Sequence, residues 1–320
     1  MDRKFTADSS HIDIGELNRE ARLNPAALVA QTERGYDSIV EDLAEALRLV
    51  RDDRPVIMLS GPSGSGKTTT ALKTERLLDS SGCEAHVISM DNFFYEPQNA
   101  PRKPDGTQDF ETVYAVDLDC FEDFFRSLLS GRETPVPRFD FTSGRRTTHR
   151  HPLRYRRGDI FIVEGIHALN PIVTGKLPGQ NCSRAYICVD SDFREGEQKV
   201  LGRTDIRLMR RLIRDYKFRG SSLRRTLEMW DGVLAGEREF ITPYIPEADI
   251  RFNTVFRYEP ALMAGELRPL LAGELNAPDC PAKIAELHRA LGRFEPLEAA
   301  LVPSTSLLRE FIGDSDYHEQ

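Results

Sequence analysis

An α/β architecture, a mostly parallel sheet with helices on both faces, is what this sequence of 320 residues predicts. Three observations predict it. Short apolar runs closed by turn residues alternate with stretches of helical period. The first such run stops at a glycine-rich turn that opens a helix. The composition, 40% hydrophobic and 29% charged, provides for a sizeable core and excludes collagen-like and wholly disordered classes.

Along the chain, residues 1 to 35 are polar and weakly periodic, and Ile39, Leu43, Leu47 and Val50 then recur at three- and four-residue spacing, predicting a helix over Tyr36 to Val50. After a charged turn, Val56 to Leu59 read as a buried parallel strand stopping at Gly61. Further strands are expected at His86 to Ser89, Ile160 to Val163 and Ala185 to Val189, with helices over Thr69 to Leu78 and Leu118 to Leu129. From Pro260 onward the chain turns helical, and Leu287, Leu291, Leu307, Leu308, Phe311 and Ile312 form apolar stripes that read as packing. Ligands of such a sheet are expected at the carboxyl ends of the strands.

Net charge is −8, which argues against a general nucleic-acid coat or a membrane-surface binder. The five cysteines, Cys83, Cys120, Cys182, Cys188 and Cys280, are widely spaced and include no CxxC pair, which suits a reducing compartment. The charged N-terminus lacks the apolar core of a secretory signal, and no apolar run approaches the ~18 residues of a membrane span. A cytoplasmic protein is expected.

Directly after the first strand stands GPSGSGKTT, in which Gly61, Gly66, Lys67 and Thr68 satisfy GxxxxGK[ST] between a strand and a helix. Glycines let the backbone curl around phosphate oxygens with its N–H groups inward, and the following helix adds the positive end of its dipole. Gly61, Ser63, Gly64, Ser65, Gly66, Lys67, Thr68 and Thr69 are therefore the expected cradle for a nucleoside triphosphate, ATP, with Mg²⁺. Lys67 is placed to bridge the β- and γ-phosphates, and the Thr68 hydroxyl to ligate the metal. The fold class sharpens to a P-loop NTPase-type sheet.

Two acids are expected at the same edge. IFIVEG ends its strand in Glu164, and VISMDNFFY delivers Asp91. A hydroxyl acceptor needs a carboxylate to take its proton, which suits Asp91, although an N-cap is the plainer use of an Asp after a strand. A GTPase would carry an NKxD-like string, and none occurs.

Arg203 to Arg225 hold eight arginines and Lys217 against Asp205 and Asp215. On a helix, Arg207, Arg210, Arg211 and Arg214 share one face, and Met209, Leu212, Ile213 and Tyr216 share the opposite one. The expectation is an arginine-rich lid whose apolar stripe docks while its guanidinium face meets the transferring phosphoryl; a solvated basic face is the alternative. Arg138 to Arg157 add seven arginines with His149 and His151, read as an acceptor-side hairpin or plain surface. The two histidines lack further ligands at metal spacing, which argues against zinc.

GPSGSGKTT, DNFFY, FDF, VEGIHALNP and RLMRRLIRDYKFRG resemble the uridine kinase and phosphoribulokinase group of P-loop kinases over roughly residues 54 to 260. EADIRFNT and PSTSLLREFIG resemble its bacterial uridine-kinase-like branch. The resemblance implies Asp91 as general base, Thr68, Glu164 and Asp91 around Mg²⁺, and Asp91, Tyr95, Phe110 and Glu111 about the acceptor. It also implies Arg211, Arg214 and Arg219 as lid arginines that steady the transferring group, the first two also touching substrate. Departures are plain: Phe94 stands at the family's tyrosine, Glu111 at its ribose aspartate, Ser221 at a fourth lid arginine, and TSGRR in the segment that reads the pyrimidine.

The implied organisation is an N-terminal helical extension over 1–52, a P-loop kinase domain over 53–262 with its lid at about 203–225, and a C-terminal helical extension over 263–320. The expected activity is ATP-dependent transfer of the γ-phosphoryl group to a hydroxyl of a nucleoside-like small molecule. A sugar, polyol or sugar-phosphate kinase and a nucleotide-dependent regulator or RNA-binding ATPase remain as alternatives. A homo-oligomer would fit the resemblance.

Overall fold

The structure, a computed structural model, describes residues 10–103, 106–140, 143–148 and 151–317. The first nine residues of the N-terminal extension, Phe141 of FDF, Thr142, His149 and Arg150 lie outside the described residues. In chain order the elements are β1 (Ser10–Asp13), α1 (Ile14–Leu23), α2 (Pro25–Val50), β2 (Val56–Ser60), α3 (Lys67–Ser80), β3 (Ala85–Ser89), α4 (Leu118–Leu129), β4 (Pro137–Asp140) and β5 (Arg145–Thr148). There follow β6 (Ile160–Glu164), α5 (Pro171–Thr174), β7 (Cys182–Cys188), β8 (Ser191–Glu195), β9 (Gln198–Leu201), α6 (Arg203–Phe218), α7 (Leu223–Phe240), β10 (Ile250–Asn253), α8 (Glu259–Glu266), α9 (Arg268–Glu274), α10 (Ala282–Leu291) and α11 (Arg309–Ile312).

Five strands form a wholly parallel central sheet in the order β10-β7-β2-β6-β3. Successive side chains of a strand point to opposite faces. Val56, Met58, Ile88, Phe161 and Val163 accordingly join a core with Phe121, Phe124, Phe125 and Leu128 of α4. Ile57, Leu59, Ile160, Ile162, Ala185 and Ile187 face the other way, onto Ala71 and Leu78 of α3 and Leu43 and Leu47 of α2. Beside the main sheet, β1 runs parallel to β8, which pairs antiparallel with β9.

The N-terminal region is helical well before Tyr36. Asp13 caps α1 by accepting from Glu16 N at 2.9 Å, and Asn24 caps α2 by accepting from Ala27 N at 3.1 Å, with Pro25 in the first turn. The periodicity there is weak because an acid stands in the apolar stripe: buried Glu33 lies between Val29 and Val40 and accepts from Ser306 Oγ at 2.6 Å and from the Tyr258 hydroxyl. Burial pushes the Glu33 carboxyl up, and the Ser306 and Tyr258 hydrogen bonds pull it back. Thus α1 and α2 share one core with α6, α8, α10 and the 307–312 segment.

The expected division of faces on α6 needs correcting. Arg207 and Arg210 are buried, while Tyr216, expected on the docking stripe, is 47% exposed. The reason is that α6 packs on both sides. Its apolar stripe meets the shared core, and its arginines meet the loop Gly61–Lys67, half-buried Glu237 of α7 and buried Glu259 of α8.

Candidate active site

Three adjacent strands deliver the site to one edge of the sheet. β6 lies between β2 and β3, and Glu164 is level with Leu59 of β2 on one side and with Ser89 of β3 on the other. The loop Gly61–Lys67, Glu164 and Asp91 therefore leave the sheet side by side, at the carboxyl ends where α/β sheets bind ligands. Gly165 N donates to Leu59 O at 3.1 Å and Ser60 Oγ to Ile166 O at 2.9 Å, tying the two strand ends together. Asp91 sits inside the short 3-10 turn Met90–Phe93, and the side chain of Ser89 at that turn's head makes no cap bond.

The loop takes a cradle shape because Gly64 and Gly66 adopt φ of +77° and +85°, a region that L side chains rarely occupy. A Cβ at Gly66 would meet Leu307 Cδ1 at 2.4 Å, so the outer wall is as tight as the backbone is unusual. Thr254 Oγ1 donates to Ser65 O at 2.7 Å, and Lys67 Nζ reaches back to Pro62 O at 3.4 Å. Burial pulls Lys67 below its usual range, opposed by the charges of Glu164, Asp91 and Glu310. The hydroxyl of Ser65 is buried with no hydrogen-bond partner among the described residues. A glycine-rich loop with a lysine folded back over it, an unpaired hydroxyl and a helix N-terminus behind it fits a phosphate chain.

Arginines from α6 frame the loop. Arg207 Nε donates to Ser63 O at 3.0 Å and its Nη1 to Glu237 Oε1 at 2.9 Å. Arg210 Nη1 donates to Gly64 O at 3.1 Å, its Nη2 to Thr254 O at 2.7 Å, and its Nε and Nη2 to the two oxygens of Glu259 at 2.6 and 2.7 Å. Arg211 Nη1 reaches Ser63 Oγ at 3.2 Å. Arg211, Arg214 and Arg219 all converge on Asp215, at 3.2, 3.1 and 3.7 Å. Asp215 is the residue that sequence reasoning treated only as an opposing charge; its i,i+4 spacing from Arg211 and Arg219 was the available signal.

Burial raises the Asp91 carboxyl, while Lys67, then Arg219 and Arg214, draw it down. Glu111 is likewise raised by burial and drawn down chiefly by Arg211 and Lys103. Glu111 lies under α7, where a Cβ on Gly236 would stand 2.7 Å from its own Cβ. Phe110 packs its ring 5.5 Å from that of Phe94, which is buried.

Tyr95 is not brought to this cluster. Burial raises its phenol, and the charges acting on it are Asp117, Asp119 and Arg146, on α4 and the hairpin. The hairpin itself is real: β4 pairs antiparallel with β5, and Asn92, Glu96 and Asp117 hold it through Phe139 N, Arg146 N and Arg146 Nη2 at 3.0, 3.1 and 2.8 Å. At its tip Ser143 Oγ donates to Asp140 Oδ2 at 2.8 Å, and Gly144 lies against Pro97.

His167, three residues beyond Glu164, was not foreseen. It is 2% exposed, stands edge-on to Phe240 with ring centroids 6.0 Å apart, and faces the backbone of Thr112 and Glu111, yet neither ring nitrogen reaches hydrogen-bond geometry with any of the described residues. Burial pushes it down to about 4, with Lys67 acting in the same direction. Its unfolded value near 6.5 is higher, so its contribution to stability is complete above about pH 6.5 and is lost as pH falls toward 4, by at most ~1.4 kcal/mol per pH unit. Denaturant titrations at pH 7 and pH 5 should show the wild type losing more stability than His167→Leu, and equal losses would refute the assignment.

Residues 56–175 match the phosphoribulokinase / uridine kinase family. A uridine kinase of Staphylococcus haemolyticus is 26% identical over 196 residues, covering 61% of this chain and 85% of that protein. A uridine kinase of Streptococcus gordonii is 27% identical over 200 residues, covering 62% and 86%. The solved structure of a possible uridine kinase from Bacillus stearothermophilus superposes with a TM-score of 0.43 at 17% identity, covering 67% of this chain and 97% of that one. The segment that matches this family carries the loop Gly61–Lys67 and both strand-end acids, Asp91 and Glu164.

Proposed function

We propose that this protein transfers the γ-phosphoryl group of ATP to a hydroxyl of a small nucleoside-like acceptor. The observation that carries the reading is the delivery of the loop, Asp91 and Glu164 by three neighbouring strands to one edge, with Arg211, Arg214 and Arg219 fanned over it from Asp215. In this reading the loop amides and Lys67 hold the phosphate chain. Asp91 accepts the proton of the acceptor hydroxyl as its oxygen bonds to the γ-phosphorus and ADP departs. The arginine fan offsets charge on the transferring group. Thr68, Glu164 and Asp91 are the residues that would hold Mg²⁺, which when bound neutralises phosphate charge and keeps Asp91 ionised. Glu111 and Phe110 line the acceptor side, and the kinase unit spans 53–262 with the flanking helices as extensions.

The solvated-helix reading has little support, since Arg207 and Arg210 are committed to Glu237, Glu259 and loop carbonyls. A non-nucleoside acceptor keeps one observation in its favour. Among the described residues of the hairpin tip, Ser143 offers a short hydroxyl, itself bonded to Asp140, in the segment where uridine kinases read the base. ADP release with Mg²⁺-ATP should be followed against uridine, cytidine, purine nucleosides, free sugars, polyols and sugar phosphates, with a no-acceptor control. Stimulation by a nucleoside is expected. Stimulation by a sugar or polyol alone would reassign the acceptor, and none at all would sink the kinase reading for these classes.

A further inference from the structure

The C-terminal segment reaches the phosphate-binding loop itself. Thr69 Oγ1, 3% exposed as a residue and second after Lys67 in α3, donates to Glu310 Oε2 at 2.7 Å. Around that contact Leu307 closes on Gly66, Lys73 Nζ donates to Thr305 O at 3.2 Å, and the Phe311 ring lies 5.3 Å from the guanidinium carbon of Arg210. The segment is anchored from behind by Ser306 on Glu33 and by Lys217 Nζ on Ile312 O at 3.2 Å. The Glu310 charge is also felt by Lys67.

A site built to attract a polyanion therefore already holds an anion of its own. The Thr69 hydroxyl has one proton to donate, so it serves the carboxylate or a phosphate oxygen, not both. A phosphate chain laid along the start of α3 also meets the like charge of Glu310, in surroundings where Coulomb interactions exceed those in bulk water. Glu310 is only partly buried, which gives its side chain room to turn outward.

We propose that Glu310 competes with the donor nucleotide for Thr69 and so sets nucleotide affinity, making the C-terminal segment part of the nucleotide site. This rests on the reading of residues 61–69 as that site. Equilibrium binding of Mg²⁺-ATP to the full chain tests it with three proteins: wild type, Glu310→Gln and Lys67→Ala. Glutamine retains a carbonyl oxygen for Thr69, so the segment stays docked, which an unchanged thermal midpoint verifies, while the charge is gone. Glu310→Gln should bind ~5–30-fold more tightly, and the gain should shrink as salt screens it. Equal or weaker binding by Glu310→Gln overturns the proposal. Weak binding by Lys67→Ala keeps the nucleotide reading standing in that event, whereas wild type and Lys67→Ala binding alike would remove that reading and this inference together.

Discussion

Asp91→Asn should lower turnover by ~10²–10⁴-fold while leaving Mg²⁺-ATP affinity largely intact. The amide has the shape of the carboxylate, so the turn Met90–Phe93 and its place beside Glu164 are preserved. What it lacks is the capacity to accept a proton. Burial already biases the Asp91 carboxyl toward proton uptake, and Lys67, Arg219 and Arg214 restrain that bias. In the proposed reading phosphate binding rests on the loop amides and Lys67, and asparagine keeps a side-chain oxygen for Mg²⁺, so kcat and nucleotide affinity should part company. Steady-state kinetics beside equilibrium binding reads both; turnover within a few-fold of wild type would remove Asp91 as the base.

Glu259→Ala should cost about 3–5 kcal/mol of stability, the range for stripping the partner from a buried charge. Arg210 and Glu259 are both 0% exposed and joined by two hydrogen bonds. Without the carboxylate a guanidinium is left uncompensated in the core, and a positive charge has no cheaper protonation state to retreat to. Because Arg210 also holds Gly64 O and Thr254 O, nucleotide affinity should fall along with stability. Denaturant unfolding checks the first effect. Replacing both partners with apolar residues, as in Arg210→Met with Glu259→Leu, should recover much of the loss. A loss under about 1 kcal/mol in the single variant would mean that water or another acid compensates Arg210.

Much of this was legible in the chain itself. Strand ends can be read from apolar runs, and the spacing of Gly61, Gly66, Lys67 and Thr68 matches a loop between strand and helix, so the loop and its two neighbouring acids were placed at one sheet edge without coordinates. The hidden parts depend on partners far apart in sequence. Arg207 and Arg210 look like surface charge until Glu237 and Glu259 arrive from 30 and 49 residues away. A buried acid, Glu33, masked the period of α2. Tyr95 was expected from the family pattern, whereas the ring that packs against Phe110 is that of Phe94, and the charges acting on Tyr95 are those of Asp117, Asp119 and Arg146. His167 carried no local signal, since a histidine after a strand reads the same whether solvated or entombed.

Leu307 closing on Gly66 also has a consequence for the order of events on the ribosome. The strand, the loop Gly61–Lys67 and the helix after it emerge first, and the wall against Gly66 and the partner of Thr69 lie about 240 residues later. Contacts of such sequence separation form late, after the entropy of closing a long loop has been met. A nascent chain thus carries the loop through the synthesis of those residues with one side unpacked. Packing of that side waits for translation to reach the segment around Leu307.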